Sequence, residues 1–390
     1  MIYVFLPRAF IATDASVPLM LELSRRYPGE RIVFALFAQY ILPEIRSNVV
    51  VFDAINSIGE LISFSTQRLK GWPRLRNGVH RWLFLVGAAL RGLSGTATFL
   101  HFGYLNAFPV RLLFLANPKH TYVMQATPVG LSDTEKRIDR IRFPDAKLPP
   151  RVAASALFAQ NKDWVTLDLP HVADTPRYMI GSPSSRKVWH NYLSEVAPAH
   201  FAEIGISGDP AIAVFILSSL DPPNLTFYQD EFIQLFEQTL RVLSEVVPDL
   251  PIVVKRHPKT TPDYVRRIGE VVARSPKKRV VVADVHPMLL AARAKFFISN
   301  WSSTAYFNAI AMYVPIIEYV HYAPAVEAVT GDASTRPDLA TYFVNYDEEK
   351  LRRAILAVMS QDAPRAELAY PYDEPYEQVL RLLARLPPTS

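Results

Sequence analysis

Two polar stretches in the second half of the chain each follow an apolar, strand-like run, and their residue types suit the binding of a phosphate. Lys255–Pro258 ends the run PIVVKRHP, and Asn300–Thr304 separates AKFFIS from a helix-like segment. A histidine such as His257 can donate a hydrogen bond to a phosphate and offset charge on a leaving group. Hydroxyl residues and free backbone N–H groups at a helix start suit the same ligand. We therefore predict one phosphate site built from both stretches.

Each stretch also has an ordinary structural explanation. Pro258 is typical of a turn after a strand, and a helix start needs only one capping hydroxyl. Three hydroxyl residues in a row, Ser302, Ser303 and Thr304, exceed what capping requires. Because both stretches follow strands of one predicted sheet, we favour the ligand site over a turn and a cap.

The elements that position these residues alternate between short β-rich runs and helical patterns, which favours parallel sheets built from βαβ units. The strands predicted in the first half are IYVFLP, RIVFALF, NVVVFD, TATFLHFG and TYVMQAT, and the helices are Ser16–Arg26, Ala54–Leu69 and Arg81–Leu90. The strands predicted in the second half are AIAVFIL, PIVVKRH, RVVVAD, AKFFIS and VPIIEY, and the helices are Gln229–Val246, Pro262–Ala273, Met288–Ala294 and Ser303–Met312. The fold class is therefore α/β, with two successive Rossmann-like sheets.

The length and composition of the chain are typical of two globular domains. A chain of 390 residues exceeds one ordinary core. The turn-forming segment EIGISGDPAIAVF sets the boundary, which gives domains 1–205 and 206–390. The absence of cysteine excludes disulfides and thiol chemistry. The start MIYVFLPRAF lacks a basic leader, and no apolar run approaches the ~18 residues of a membrane span, so we expect a cytoplasmic protein.

Charge is distributed unevenly along the chain. Residues 1–205 contain 23 Lys and Arg against 15 acidic residues, whereas the remainder contains 19 against 22. Between Glu60 and Asp133 there are eight basic residues and no acidic one. This stretch also contains RLKGWPRLRNGVHRWLFLVGAALRGL, in which cations accompany tryptophan and an apolar pattern. It predicts either an interfacial helix on the inner face of an anionic membrane or core helices around an acceptor groove, with a solvated basic face as the simpler alternative.

The sequence KRHP followed by SNWSST resembles the His-Pro and Ser-Ser motifs of bacterial GT-B sialyltransferases and polysialyltransferases, and of related capsule and Kdo transferases. The resemblance implies two Rossmann-like domains with parallel sheets that face a central cleft. It implies that the N-terminal domain binds the acceptor and that the C-terminal domain binds a CMP-sugar. It further implies that His257, Ser302 and Ser303 contact the CMP phosphate.

The catalytic base is left open by the sequence. The resembled family carries an acidic motif after a strand of its N-terminal domain, whereas Ala126-Thr127-Pro128 stands at the corresponding place here. A sugar hydroxyl needs a base within hydrogen-bond reach. The candidates are Asp133, Glu135, Asp14 in the loop after the first strand, and His101. Asp133 and Glu135 equally suit the start of a helix.

Two further segments suit the nucleotide side of the site. DVHPM, which contains His286, can border a base or ribose or simply start a helix. Glu318, at the end of the last predicted strand, can accept hydrogen bonds from ribose hydroxyls or can be a surface carboxylate. The predicted nucleotide-binding residues are Lys255, Arg256, His257, Pro258, Asn300, Ser302, Ser303, Thr304 and Glu318.

These observations lead to a predicted glycosyltransferase that moves a CMP-activated nonulosonate, of the sialic acid or Kdo type, onto a glycan or glycolipid acceptor of a surface polysaccharide. G-x-G-x-x-G, P-loop and H-E-x-x-H patterns are absent, so we expect no dinucleotide cofactor and no metal. Nucleic acid is not an expected partner. The alternatives are a CDP-polyol phosphotransferase of the teichoic-acid type and a non-catalytic subunit that binds glycans or membranes.

Overall fold

The computed structural model describes residues 1–7, 10–37, 41–64, 71–102, 110–126, 154–161, 175–208, 210–217, 229–257, 260–276, 279–301, 303, 305–360 and 372–387. Within these residues, strands and helices alternate along most of the chain. The strands are β1 Ile2–Leu6, β2 Ile32–Leu36, β3 Gly59–Ser63, β4 Thr98–His101, β5 Thr121–Met124, β6 Ala156–Ala159, β7 Arg177–Met179, β8 Ile212–Ile216, β9 Ile252–Lys255, β10 Val280–Ala283, β11 Ala294–Ser299, β12 Ile316–Val320 and β13 Tyr342–Asn345.

The helices that connect these strands range from five to 22 residues. They are α1 Phe10–Arg26, α2 Leu42–Ser47, α3 Val49–Ile58, α4 Trp72–Leu93, α5 Val110–Ala116, α6 Lys187–Glu203, α7 Gln229–Val246, α8 Pro262–Arg274, α9 Pro287–Ala291, α10 Ala305–Ala311, α11 Pro324–Thr330, α12 Glu348–Ser360 and α13 Asp373–Leu383. Short 3₁₀ turns lie at Pro118–His120 and Pro183–Ser185. Among the described helices, none is long and apolar enough to cross a membrane.

The strands form two separate sheets, and every described pairing is parallel. The first sheet has seven strands in the order β3-β2-β1-β4-β5-β6-β7. The second has six strands in the order β10-β9-β8-β11-β12-β13. In both, the chain moves to one side of the first strand and then returns to continue on its other side, which is the doubly wound Rossmann-like arrangement. The predicted α/β class with two Rossmann-like sheets is confirmed.

The chain divides into two compact units. Unit 1 comprises residues 1–130, 147–191 and 369–390, and unit 2 comprises residues 131–146 and 192–368. Unit 1 contains the seven-stranded sheet and unit 2 the six-stranded sheet. The predicted division at residue 205 into an acceptor domain and a donor domain stays a prediction.

Two predictions for the first sheet are wrong. NVVVFD is not a strand but the start of α3, since the Asn48 side chain caps the helix by accepting from the Val51 N–H at 3.4 Å. Its buried residues Val50, Val51, Ala54 and Ile55 follow a helical spacing, and this packing overrides the β preference of the valines.

The third strand of unit 1 is instead GELIS, which lies inside the segment predicted as a helix over 54–69. A Cβ on Gly59 would collide with the carbonyl oxygen of Ile32 on the neighbouring strand, so the strand can start here only because this residue has no side chain. Strands β6, β7 and β13 are also absent from the predicted set.

An ion network fixes the last helix of the chain to unit 1. Glu22 on α1 is 1% exposed and accepts hydrogen bonds from Arg26 at 2.7 Å and from Arg186 at 3.1 and 3.2 Å. Arg186 also pairs with Asp373 on α13, and its guanidinium lies 4.4 Å from the centre of the Tyr376 ring. Burial acts against its charge, but the hydrogen bonds to Glu22 and Asp373 prevail and raise the pKa of Arg186.

Candidate functional site

The strand order of unit 2 identifies where a ligand would bind. From β8 the chain proceeds through β9 and β10 on one side, and then returns to place β11 on the other side of β8. Open α/β sheets bind ligands outside the carboxyl ends of their strands at such a switch point. The loops that leave β9 and β11 carry the two polar stretches found in the sequence, and they lie on opposite sides of β8.

Strand register aligns two of the predicted residues, Lys255 and Glu318, in one row across this sheet together with Ser299. Lys255 pairs with Ile216, Ile216 pairs with Ser299, and Ser299 pairs with Glu318. The chain therefore leaves β9, β8 and β11 at the same level. Since neighbouring strands are about 4.8 Å apart, β9 and β11 are separated by roughly 10 Å. A phosphate over the end of β8 could be reached by side chains from both loops.

The end of β9 explains most of the residues in KRHPKTTP. Arg256 forms an ion pair with Asp284, which directly follows the neighbouring strand β10. The Nε of Arg256 donates to the Asp284 Oδ1 at 3.2 Å. The carbonyl of His257 accepts a hydrogen bond from the Thr260 N–H at 3.0 Å, which closes a turn. Thr261 then caps α8. Lys255 and His257 are both half-buried. Pro258 lies outside the described residues.

The end of β11 is organised by buried hydrogen bonds. The Ser299 hydroxyl lies against the Tyr306 hydroxyl and donates to the Trp301 carbonyl at 2.7 Å. Ser303 accepts from the Ala305 N–H at 3.2 Å and so caps α10. Burial, with the nearby charge of Glu318, raises the pKa of Tyr306 well above its ordinary value, so this hydroxyl keeps its proton. Ser302 and Thr304 lie outside the described residues.

The side chain of Asn300 links β11 to β12 through its amide N–H₂, while its Oδ1 stays without a hydrogen-bond donor among the described residues. Its side-chain N–H₂ donates to the Tyr319 carbonyl at 2.7 Å, and the residue is fully buried. Its Oδ1 has no hydrogen-bond partner among the residues that the structure describes. A buried acceptor of this kind costs free energy unless a donor from the adjoining loop or from a ligand meets it.

Glu318 occupies a different place from the one predicted. It lies inside β12 rather than at the end of the last strand, since β13 follows further along the chain. It is fully buried, and its carboxylate accepts from the Tyr322 hydroxyl at 3.1 Å and from Ser334 at 2.5 Å. Burial and the charge of Glu318 raise the pKa of Tyr322. The alternative of a surface carboxylate is therefore wrong, and the ribose contact stays a prediction.

The second His-Pro pair has a structural role. His286 is 1% exposed and caps α9, and its Nδ1 accepts from the Met288 N–H at 3.2 Å. Pro287 occupies the first position of that helix, as prolines commonly do. This geometry favours the helix-start interpretation of DVHPM.

Two of the candidate catalytic bases, Asp14 and His101, lie in unit 1, and the other two lie outside the described residues. Asp14 is not in a loop, as predicted, but within α1, which begins at Phe10. His101 ends β4, is 2% exposed and stacks on Phe114 with ring centres 4.3 Å apart. Asp133 and Glu135 lie outside the described residues. Among those described, no cluster of three or more His, Asp or Glu side chains could hold a metal ion.

Sequence reasoning missed the partners that hold these groups. Ser299 and Tyr306 are seven residues apart, and Ser334 reaches Glu318 from the segment between α11 and β13. Ser299 carried a usable signal, because it is the one hydroxyl residue in the otherwise apolar end of AKFFIS. The contact between Ser334 and Glu318 had none, since it depends on the course of a loop.

Comparison with known proteins identifies the fold. No family model and no curated protein sequence matches this chain. Among solved structures, it is similar to the UDP-GlcNAc 2-epimerase of Methanocaldococcus jannaschii in complex with UDP-GlcNAc and UDP, with 13% identity, 98% and 99% of the two chains covered and a TM-score of 0.55. The UDP-GlcNAc 2-epimerase of Neisseria meningitidis bound to UDP-GlcNAc is similar at 12% identity, with the same coverage and a TM-score of 0.54. The glycotransferase of kitacinnamycin covers 98% of this chain, and 94% of its own length is covered, at 16% identity and a TM-score of 0.47.

At these identities the likeness concerns the fold alone. The two sheets, their parallel pairing and their doubly wound order give the chain the GT-B class of architecture.

Proposed function

We propose that this chain is a nucleotide-sugar-dependent glycosyltransferase whose unit 2 binds the phosphate of the donor at the switch point between β8 and β11. The observation that carries the proposal is the shared row of Lys255, Ile216 and Ser299, which puts the Lys-Arg-His and Asn-Trp-Ser-Ser segments at one level on either side of β8. Both segments offer hydrogen-bond donors that suit a phosphate.

The polar residues at the ends of β9 and β11 have different roles: some contact the phosphate, and others hold the loops in place. Arg256 is held by Asp284 and shapes the loop. Lys255 and His257 donate hydrogen bonds to the phosphate, and we assign the hydroxyls of Ser302 and Ser303 to the same phosphate. Asn300, with its buried Oδ1, fixes the start of that loop against β12.

The reaction follows from these roles. The acceptor hydroxyl attacks the anomeric carbon of the donor, and the bond from that carbon to the phosphate oxygen breaks. The proton of the hydroxyl passes to a carboxylate, for which Asp14, Asp133 and Glu135 are candidates. His257 and the loop hydroxyls stabilise the negative charge that develops on the departing nucleotide. We assign the acceptor to residues 1–205 and the donor to residues 206–390.

For the donor we propose a CMP-activated nonulosonate of the sialic acid or Kdo type, transferred to a surface glycan. The support is the resemblance of KRHP and SNWSST to the motifs of CMP-sugar transferases. A UDP-sugar enzyme is the second candidate, because the similar folds include structures of UDP-GlcNAc 2-epimerases that contain UDP-GlcNAc.

Thermal stabilisation of the purified protein by CMP, CDP, UMP and UDP tests the proposal. We expect the largest shift with CMP, and we expect His257→Ala to remove it and to lower release of CMP from CMP-sialic acid or CMP-Kdo at least about tenfold. His321→Ala is the matched control, because His321 follows β12 in the same sheet and stacks on Tyr346 at 4.4 Å. That variant should keep both the shift and the turnover.

Each other result leads to a different conclusion. A uridine preference, with conversion of UDP-GlcNAc into its C2 epimer, would replace the transferase with the second candidate. A CDP preference with phosphorus in the product would indicate the polyol phosphotransferase. Nucleotide binding without turnover would favour the non-catalytic subunit, and a folded His257→Ala variant with full activity would overturn the assigned role of His257.

A further inference from the structure

Helix α4 presents large apolar side chains to solvent along its whole length. Trp72, Leu75, Val79, Trp82, Val86 and Leu90 follow a three-or-four-residue spacing and are each 49 to 73% exposed. At about 100° per residue, they fall within an arc of roughly 80°. Leu83 and Leu93 lie on the same side and are 68 and 69% exposed. The helix therefore carries a continuous apolar stripe, defined by these eight residues.

The stripe is not the face that α4 uses to join the core. The buried residues of the helix are Leu85, Ala88 and Gly92, which lie on the opposite side. Leu85 and Ala88 pack with Leu113 and Phe114 of α5 in the hydrophobic core of unit 1. A helix that packed on its own unit would normally bury its large residues and expose its polar ones. The inward face of α4 thus carries Leu85 with two small residues, whereas both tryptophans and most of the leucines of the helix face outward.

Neighbouring surface continues this pattern and adds positive charge. On α5, Leu112 and Leu115 are 50 and 61% exposed. Arg74, Arg76 and Lys119 are exposed, and the chain contains no acidic residue from position 61 to position 132. The apolar stripe therefore lies within a region of the sequence whose formal charges are all positive.

We propose that the stripe inserts into the headgroup region of an anionic lipid bilayer, with α4 in the plane of the membrane. Tryptophan and leucine on one side, with Arg76 beside them and a second exposed arginine, Arg74, on the same helix, are features of helices that bind at this depth. The basic residues meet the phosphate headgroups of anionic lipids, and the apolar residues leave water for the acyl-chain boundary. An anionic bilayer offers both in one surface.

The charges argue against two other occupants. A second copy of the chain bound through the same face would bring two basic regions together without an acidic residue from 61–132 to neutralise them. An anionic polysaccharide would satisfy the arginines, but it would leave Trp72, Leu83 and Leu90 in water. The proposal does not depend on the nucleotide or the sugar that unit 2 binds.

Flotation of the full chain with vesicles tests the proposal. One set of vesicles contains phosphatidylcholine alone, and the other contains phosphatidylcholine with phosphatidylglycerol. The wild type should float with the anionic vesicles at low salt, and 0.5 M salt should weaken this binding. Leu83→Gln with Leu90→Gln should reduce binding to anionic vesicles at least tenfold. Arg74→Gln with Arg76→Gln should reduce the preference for anionic vesicles.

Helix α12 offers matched controls. Leu356 is 55% exposed, and Arg353 is exposed on the same helix. Leu356→Gln with Arg353→Gln changes one leucine and one arginine on the surface of unit 2, and should leave flotation unchanged. The melting temperature of every variant verifies its fold.

Three outcomes would overturn the proposal. The first is failure of the wild type to float with anionic vesicles at low salt. The second is equal binding by the wild type and the Leu83/Leu90 variant. The third is a lipid-free dimer in sedimentation velocity that the Leu83/Leu90 variant dissociates, since this would make the stripe an interface between copies of the chain.

Discussion

Both units bury polar side chains beside a parallel sheet, but the two sets lie in different places relative to the strand order. In unit 1, Glu22 and Arg186 connect α1 to the last helix of the chain through Asp373. In unit 2, Ser299 and Asn300 lie where β11 ends beside β8, at the switch point. The first set joins distant parts of the sequence. The second set lies where sheets of this kind bind ligands. Burial of a polar group therefore identifies a candidate ligand site only when the group also lies at the switch point of the strand order.

The largest expected effect concerns the ion network of unit 1. Glu22→Gln should destabilise unit 1 by about 3 kcal/mol, because the buried Glu22 loses its charge and Arg186, whose side chain is 12% exposed, keeps only Asp373 as a charged partner. Hydrogen exchange followed by mass spectrometry can measure this separately for peptides of each unit. Peptides of unit 2 should keep their protection, and the thermal shift with nucleotide should persist.

Glu60→Gln is the control for this prediction. Glu60 also pairs with an arginine, Arg31, at 2.7 Å, but both side chains are largely exposed. Such a pair contributes about 1 kcal/mol or less. Equal loss of protection in the two variants would contradict the structural role of the Glu22 network.

A smaller effect compares one buried asparagine in each unit. The Asn300 amide donates to the Tyr319 carbonyl at 2.7 Å, and the Asn117 amide in unit 1 donates to the Ala97 carbonyl at 2.8 Å. Replacement of either by aspartate removes the donor and should cost about 1–3 kcal/mol, as measured by urea unfolding. Only Asn300→Asp should also abolish the nucleotide-induced shift. Loss of that shift in Asn117→Asp would remove the distinction between the two sets.

The smallest expected effect is a difference in the acid response of the two units. Burial, with the charges of Arg385 and Lys119, lowers the pKa of His120 in unit 1 below the usual 6.5. The unfolded chain therefore takes up this proton first, and the stability of unit 1 declines as the pH falls below about 6.5. His120→Gln should flatten this decline in hydrogen exchange between pH 7 and pH 5.5.

In unit 2 the corresponding group is an aspartate. The hydrogen bond from Arg336 lowers the pKa of Asp338, so its contribution is present above the unfolded value near 3.9 and is lost as the pH falls through the folded pKa. Asp338→Asn should remove that loss between pH 4.5 and pH 3. An acid response that starts at the same pH in both units would contradict the assignment to these two groups.

The sequence predicted the sheets better than it predicted the site. Five strands of unit 2 were predicted because each is a short apolar run between turn-forming residues. The helix over Gln229–Val246 matches α7, since its apolar period is strong. The segment Asn48–Asp53 was predicted as a strand, because three consecutive valines favour β structure, but a neighbouring helix buries this segment with helical spacing in α3. Tyr342–Asn345 is short and only partly buried, so its period is weak.

For the site, the sequence predicted the residue types but not their arrangement. The positions of Lys255 and Ser299 at strand ends could be predicted from the apolar runs that precede them. Their alignment in one row depends on strand order and register, which local patterns do not contain. The same limit explains Glu318, whose partner Ser334 arrives from a loop beyond a further helix.

The return of α13 to unit 1 has a consequence for synthesis on the ribosome. The hydroxyl of Thr98 donates to the Leu383 carbonyl at 3.1 Å, and Arg186 forms an ion pair with Asp373. Unit 1 therefore needs residues that are synthesised after all of unit 2. Unit 2 can complete its fold first, although it starts later. The nascent N-terminal unit meanwhile exposes the surface that α13 will cover. Chaperones that bind unfinished chains would therefore meet this protein first at its N-terminal half, and a truncation before Asp373 would prolong that state indefinitely.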